Sequence, residues 1–169
     1  NQIEVLDNGN IIKSQKGVKI FLNENIDILS NNFKYNKKKG LVELSGDVKI
    51  IDRFNEFTIN TEEILYFQKE NTISSNKLSK FNFENKYFGE SVNFQYFISQ
   101  PKITSKKEMK IYDLKNNFFY IKNFEYEMQE NLFRGSNAKF IDEENNEYFI
   151  SNTIINLNNN NISGKDLSI

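Results

Sequence analysis

Two adjacent acid pairs, Glu62-Glu63 and Glu143-Glu144, come nearest to catalytic chemistry in this chain, because paired carboxylates can share general-acid and general-base work. Consecutive strand residues face opposite sides of a sheet, so neither pair can converge on one bond, and both read as solvated turn or outer-face acids. The chain has no His and no Cys, which removes imidazole bases, thiol nucleophiles and the usual zinc ligands. Gly9, Gly17, Gly40, Gly46, Gly89, Gly135 and Gly164 stand singly and open no helix, so they form turns and bulges rather than a phosphate-cradling loop. Lys37-Lys38-Lys39 and Lys106-Lys107 could touch phosphate or acidic sugar, but short basic runs beside Asn and Gly are usually loop tips. These residues describe a binding or transport module, not an enzyme, and imply no cofactor.

The elements available to position a ligand are strands. Val42, Leu44, Val48 and Ile50 share one parity and Glu43, Ser45, Asp47 and Lys49 the other, the signature of a strand with one apolar and one wet face. Phe57 and Ile59, Phe33 and Tyr35, and Ile64 and Tyr66 repeat the spacing. Turn residues recur at Asp7-Asn8-Gly9, 36–40, 53–56, 69–71, Asn116-Asn117, 143–146 and 158–161. With ordinary strand and turn lengths, 169 residues hold roughly 14 to 17 strands and no long helix. The apolar share, 38 %, is weighted toward Phe, Tyr, Ile and Val, as strands prefer. One domain of this length buries about 70 % of its unfolded surface.

The net charge of -1, from 22 basic and 23 acidic residues, offers no global field for nucleic acid or an anionic membrane. No stretch approaches the roughly 20 apolar residues of a spanning helix. The start at Asn1, without Met or a leader, reads as a processed or trimmed N-terminus.

Internal repeats point to stacked units. Residues 49–59 recur as 139–150 with one extra turn residue, residues 72–78 match 161–167, and a period of 31 links Phe33, Tyr35 and Val42 to Ile64, Tyr66 and Ile73. Repeats of this length favour an elongated architecture over a compact sandwich, although duplication could leave the same trace. Phe94, Tyr96, Phe118, Tyr120, Phe124 and Tyr126 add aromatic weight to the apolar parity. They form either an ordinary sandwich core or the lining of a partly open groove for an aliphatic ligand.

The segment 28–35, Ile-Leu-Ser-Asn-Asn-Phe-Lys-Tyr, followed by Gly40-Leu41-Val42-Glu43-Leu44-Ser45-Gly46-Asp47-Val48, resembles the OstA-like repeat of lipopolysaccharide-transport proteins. That repeat opens on A-D-x-x-x-Y and closes on A-x-G-N-V. Here Ser30-Asn31 stand for Ala-Asp, Ser45 for Ala and Asp47 for Asn. Degenerate units appear at 9–18 and 164–167, and residues 85–130 match least. The short closing motif is more similar to the N-terminal domain of the outer-membrane assembly protein than to the soluble periplasmic bridge protein.

The resemblance implies an all-β, elongated open β-jellyroll of stacked antiparallel strands with an apolar interior groove, a single domain over residues 1–169 with a C-terminal barrel trimmed away. It implies a periplasmic domain, tethered to the outer membrane in the full-length protein, that shelters lipopolysaccharide acyl chains. The groove would be lined by Phe33, Tyr35, Val42, Leu44, Val48, Ile50, Phe57, Ile59, Ile64, Tyr66, Ile73, Phe94, Tyr96, Phe140 and Ile150. Expected partners are lipopolysaccharide, a bridge protein docking by strand addition, and the outer-membrane barrel with its lipoprotein. Edge strands for docking fall at Ile11, Ile12, Val18 and Ile20, and at Ile162, Leu167 and Ile169. A soluble bridge protein and a carbohydrate-binding or structural β-solenoid are the alternatives. The absence of Trp weakens the carbohydrate reading.

Overall fold

Period-two patterning and closely spaced turn residues produce strands throughout, all paired antiparallel. The structure, a computed structural model, describes residues 2–115, 117–159 and 161–168. Its strands are β1 (Gln2–Leu6), β2 (Ile11–Phe21), β3 (Ile26–Asn36), β4 (Leu41–Asp52), β5 (Phe57–Phe67), β6 (Thr72–Ser75), β7 (Ser79–Phe83) and β8 (Tyr87–Ser91). The second half contributes β9 (Phe94–Phe97), β10 (Lys102–Ser105), β11 (Met109–Asp113), β12 (Phe118–Lys122), β13 (Phe124–Glu127), β14 (Leu132–Ile141), β15 (Glu147–Asn156) and β16 (Asn161–Ser168).

The long strands β2 to β4 are each bent at a register shift, between Gln15 and Val18, Leu29 and Asn32, and Ser45 and Val48. In β2 and β4 the cause is local: Lys16, Gly17, Gly46 and Asp47 all have positive φ, which kinks a strand and increases its twist, and β3 bends between them. Each bent strand therefore contributes one half to each of two walls. After β5 the chain divides the work between short strands. β6 pairs with Leu65–Phe67 and β7 with Phe57–Thr61. One wall then grows through β9, β10 and β13, the other through β8, β11 and β12, and both rejoin on β14 before β15 and β16. The longer wall, from β1 to β16, spans about 50 Å at the usual inter-strand spacing. The result is an elongated β-jellyroll.

Cross-strand rows run the length of each inner face. On the first wall the row is Tyr35, Val42, Tyr66, Ile73, Tyr96, Ile103, Tyr126, Phe133, Ile155 and Ile162. Opposite it run Ile28, Ile50, Ile59, Phe81, Gly89, Ile111, Phe119, Phe140 and Tyr148. Gly89 interrupts that row because a Cβ there would lie 2.4 Å from Met109 Cε. The turns stack as well. Peptide N–H groups of Lys37, Gln68, Ile98, Met128 and Leu157 donate to the carbonyls of Asn10, Gly40, Asn71, Pro101 and Asn131 at 2.8 to 3.1 Å. The repeat seen over 33–73 thus continues through 85–130, the segment where the motif resemblance is weakest.

Turn and corner demands explain the abundance of Asn. Asn71, Asn85, Asn93, Asn123 and Asn131 all take positive φ, which Asn tolerates better than most side chains. Small hydroxyl residues fill the inside of the corner: Thr61, Ser75, Ser79, Ser91 and Ser105 are buried, and Ser91 Oγ donates to the Glu108 carbonyl at 2.9 Å. No buried side-chain polar atom among the described residues lacks a partner.

Two sequence expectations change. Phe118 and Tyr120 belong to the outward face, since Phe119 and Ile121 are the residues of β12 that pair along the inner rows. Ile11 and Ile12 do not form an open edge, because β1 pairs with β2 from Ile11 to Gln15. The free edges at that end are β1 itself and the Val18–Phe21 half of β2. At the other end β16 has, among the described residues, only β15 as a neighbour; Ile162 and Leu167 lie in this strand, and Ile169 lies outside the described residues.

Asp27 marks where β3 enters the second wall, its carboxylate 2 % exposed, 2.9 Å from Lys19 Nζ and hydrogen-bonded by the Arg53 guanidinium. The Arg53 and Lys19 hydrogen bonds outweigh burial and hold its pKa at about 2. The folded pKa lies below the unfolded value of about 3.9, so the unfolded chain takes up the proton first on acidification. Asp27 therefore contributes stability that is full at neutral pH and is lost between about pH 4 and 2. Denaturation midpoints measured at pH 7 and pH 3 should fall more for the native chain than for Asp27→Asn; equal falls would show that this carboxylate carries none of the acid sensitivity.

Candidate functional site between the two walls

Facing apolar rows could either meet or leave space, and the structure does both. In the middle they meet. Phe83 is 1 % exposed, with ring centroids 5.1 Å from Phe57, 4.8 Å from Tyr126 and 5.3 Å from Phe133. Tyr96, from the first wall, reaches across to donate to Asp52 Oδ2 at 2.5 Å, and burial raises its phenol pKa. A second crossing joins Asn131 Nδ2 to Glu84 Oε1 at 2.9 Å.

Toward the C-terminal end the rows part around a cavity of about 390 Å³. Tyr87, Ile111, Phe119 and Phe140 line it from one wall, and Phe133, Ile155, Leu157 and Ile162 from the other. Phe119 and Phe140 stack at 4.6 Å. The inner boundary is Phe133, stacked on Tyr126 at 4.3 Å. Lys86, Asp113, Leu114, Lys115 and Asn117 form the rim. Burial, with Asp113 second, pushes the Tyr87 phenol pKa up. The lining is chiefly apolar and aromatic, with the Tyr87 phenol, Lys86, Asp113 and Lys115 toward its edge.

All fifteen residues expected to line a groove sit on the inner face, yet only Phe140 borders this opening. Val42, Leu44, Val48, Ile50, Phe57, Ile59, Ile64, Ile73, Phe94 and Tyr96 are buried in the closed section, while Phe33, Tyr35, Tyr66 and Ile150 are half-buried. The other cavity residues escaped notice for a reason. Phe118 to Ile121 and Ile154-Ile155 are apolar on both parities, so alternation assigns them no face. The Tyr35, Tyr66, Tyr96, Tyr126 spacing of 31, 30 and 30 residues would have exposed the full inner row.

The remaining chemical candidates separate. Glu62 is exposed and Glu63 lies 3.6 Å from Lys77 Nζ; Glu143 and Glu144 occupy an exposed turn. Lys38 pairs with Asp7 at 3.2 Å, and Lys106 and Lys107 are exposed at a corner. Among the described residues no cluster of acidic side chains could hold a metal ion. A larger hollow of about 640 Å³ lies along the first wall, among polar residues such as Lys13, Lys34, Glu43 and Gln95 but also against Phe33, Leu44 and Ile64 of the expected groove lining. It is open and charged.

Two β walls joined along a bent corner, with apolar rows on their inner faces, define an elongated β-jellyroll. The chain belongs to the LptA/(LptD N-terminal domain) LPS transport protein family, which matches residues 27–169. This family consists of periplasmic transport domains rather than enzymes, and it places the chain in lipopolysaccharide transport and outer-membrane biogenesis. Strands β1 and β2 precede the matched span. None of the curated proteins matches the chain. No helix among the described residues is long and apolar enough to cross a membrane.

Proposed function

We propose that this domain shelters the acyl chains of lipopolysaccharide between its walls and passes them toward an outer-membrane barrel. The supporting observation is the ring-lined cavity between Phe119 and Phe140 on one side and Phe133, Ile155 and Ile162 on the other. Its volume of about 390 Å³ is at the small end of ligand pockets, room for one chain or part of one rather than several. Holding a short length at a time suits a carrier, because burial at about 0.8 kcal/mol per CH₂ over several whole chains would trap the cargo. Longer occupancy would require the walls to part where Tyr96 and Asn131 now join them.

The free edges support the proposed route. β16 presents an unpaired edge toward whatever follows, a barrel with its lipoprotein on this reading. β1 and Val18–Phe21 present another to a preceding bridge protein. Ile3 and Val5, 64 % and 62 % exposed, continue the inward parity of Ile12 beyond the start of the second wall, an apolar shelf for incoming cargo.

The closed middle favours one other reading, a spacer in which the cavity is a packing gap. Titration of the purified domain with lipopolysaccharide and with a fluorescent medium-chain fatty acid separates them. The carrier gives saturable binding of the fatty acid that lipopolysaccharide displaces; absence of both overturns it in favour of the spacer.

A further inference from the structure

The outer faces of the two walls differ. On the first, charged side chains pair across strands: Lys34 with Glu43 at 2.8 Å, Lys102 with Glu125 at 3.0 Å and Arg134 with Glu127 at 2.9 Å. The second has such pairs too, Lys80 with Glu90 and Lys139 with Glu147, but on the strands between them the register brings Phe88, Tyr112 and Phe118 side by side. Phe88 and Tyr112 stack at 5.5 Å and Tyr112 and Phe118 lie at 6.2 Å. These rings are only half-buried. Lys110 Nζ lies 4.8 Å above the Phe118 ring and 5.8 Å above that of Tyr112. It has no ion pair among the described residues, so its charge is held over the aromatic stripe rather than against a carboxylate.

The stripe is adjacent to the mouth of the cavity. Each of its residues is one position from a mouth or lining residue of opposite parity: Phe88 from Tyr87, Tyr112 from Ile111 and Asp113, Phe118 from Asn117 and Phe119. An amphiphile with its chain against Phe119 must lead its head over the rim, past Lys86 and Lys115. The surface next reached on that wall is the stripe. Ring faces suit the C–H faces of sugars, and lysines at the rim and over the rings suit phosphate.

We propose that Phe88, Tyr112, Phe118 and Lys110 form a site for the phosphorylated sugar head of the amphiphile whose acyl chain enters the cavity. This inference rests on the carrier reading for its ligand, but the site should bind the head alone. The rings supply contact area and the lysines the preference for an anionic sugar. A clean division of labour results, with the chain inside and the head outside one wall.

The test uses the phosphorylated oligosaccharide left after complete deacylation of lipopolysaccharide, titrated into the purified domain by calorimetry or NMR. The native chain should bind it weakly and saturably. Tyr112→Ala and Phe118→Ala should each weaken that binding by about tenfold, and Lys110→Ala by less. Binding of the fluorescent fatty acid should be unchanged in all three, which also reports that they remain folded. Inorganic phosphate at the same concentration should not displace the oligosaccharide. No binding by the native chain, equal binding by the variants, or displacement by phosphate alone would overturn the assignment. If the oligosaccharide binds as described and the fatty acid does not, the head site stands and the acyl-carrier reading falls.

Discussion

Replacing Phe83 by Ala should destabilise the domain by about 3–5 kcal/mol, the cost of deleting a fully enclosed ring. Phe83 is 1 % exposed and its ring meets those of Phe57, Tyr126 and Phe133, which come from both walls. Its ring partners are held by their own packing, so only the Met109 side chain, which flanks Gly89 together with Phe83, is placed to take up part of the space. The vacated volume would abut Phe133, which forms the inner boundary of the C-terminal cavity. The variant should therefore combine a lower urea midpoint with a deeper cavity. If it remains folded, it should bind longer fatty acids more tightly relative to short ones than the native chain does. Loss of stability without a change in chain-length preference would mean that the vacated space collapses.

A larger loss is expected from Ile50→Asp. Ile50 is completely buried, paired with Ile28 and Ile59 in the inner row of the second wall, and borders no opening. A carboxylate there would have neither water nor a partner, a penalty of several kcal/mol that a domain of ordinary stability, about 5–15 kcal/mol, tolerates poorly. The variant should be largely unfolded by circular dichroism at neutral pH. Recovery of folding at low pH, where the new side chain is neutral, is limited by the acid lability that Asp27 confers. A folded, soluble Ile50→Asp protein at pH 7 would show that water reaches this position and that the groove extends through the middle of the domain.

How much was legible in advance depended on local contrast. Val42, Leu44, Val48 and Ile50 alternate with polar neighbours, so their inward direction could be read directly, as could the hairpins at 53–56 and 143–146. The elongated β architecture followed from the repeats. What was hidden lay where both parities are apolar. In Phe118-Phe119-Tyr120-Ile121 only the pairing of β12 with β11 and β14 decides that Phe119 faces the cavity and Phe118 the solvent. Burial was equally unreadable: an inward Ile50 and an inward Ile162 look alike in sequence, yet one is sealed and the other lines an opening. The capped edge at Ile11–Gln15 comes from β1 folding back through the 3₁₀ turn Asp7–Gly9, a turn legible in sequence, but in Gln2–Leu6 ahead of it Val5-Leu6 breaks the clean alternation that would have marked a strand.

The most direct measurement uses two consecutive isoleucines. Ile155 lines the cavity and pairs with Phe133, whereas Ile154 pairs with Arg134 on the outer face of the first wall, away from the aromatic stripe. A photo-activatable residue placed at each position in turn, in cells producing lipopolysaccharide, differs in position by one residue and in direction by half a turn of the strand. Crosslinking to lipopolysaccharide at 155 and not at 154, with both variants folded, is the predicted result. Equal capture at both, or capture at 154 alone, would contradict an acyl chain held between the walls.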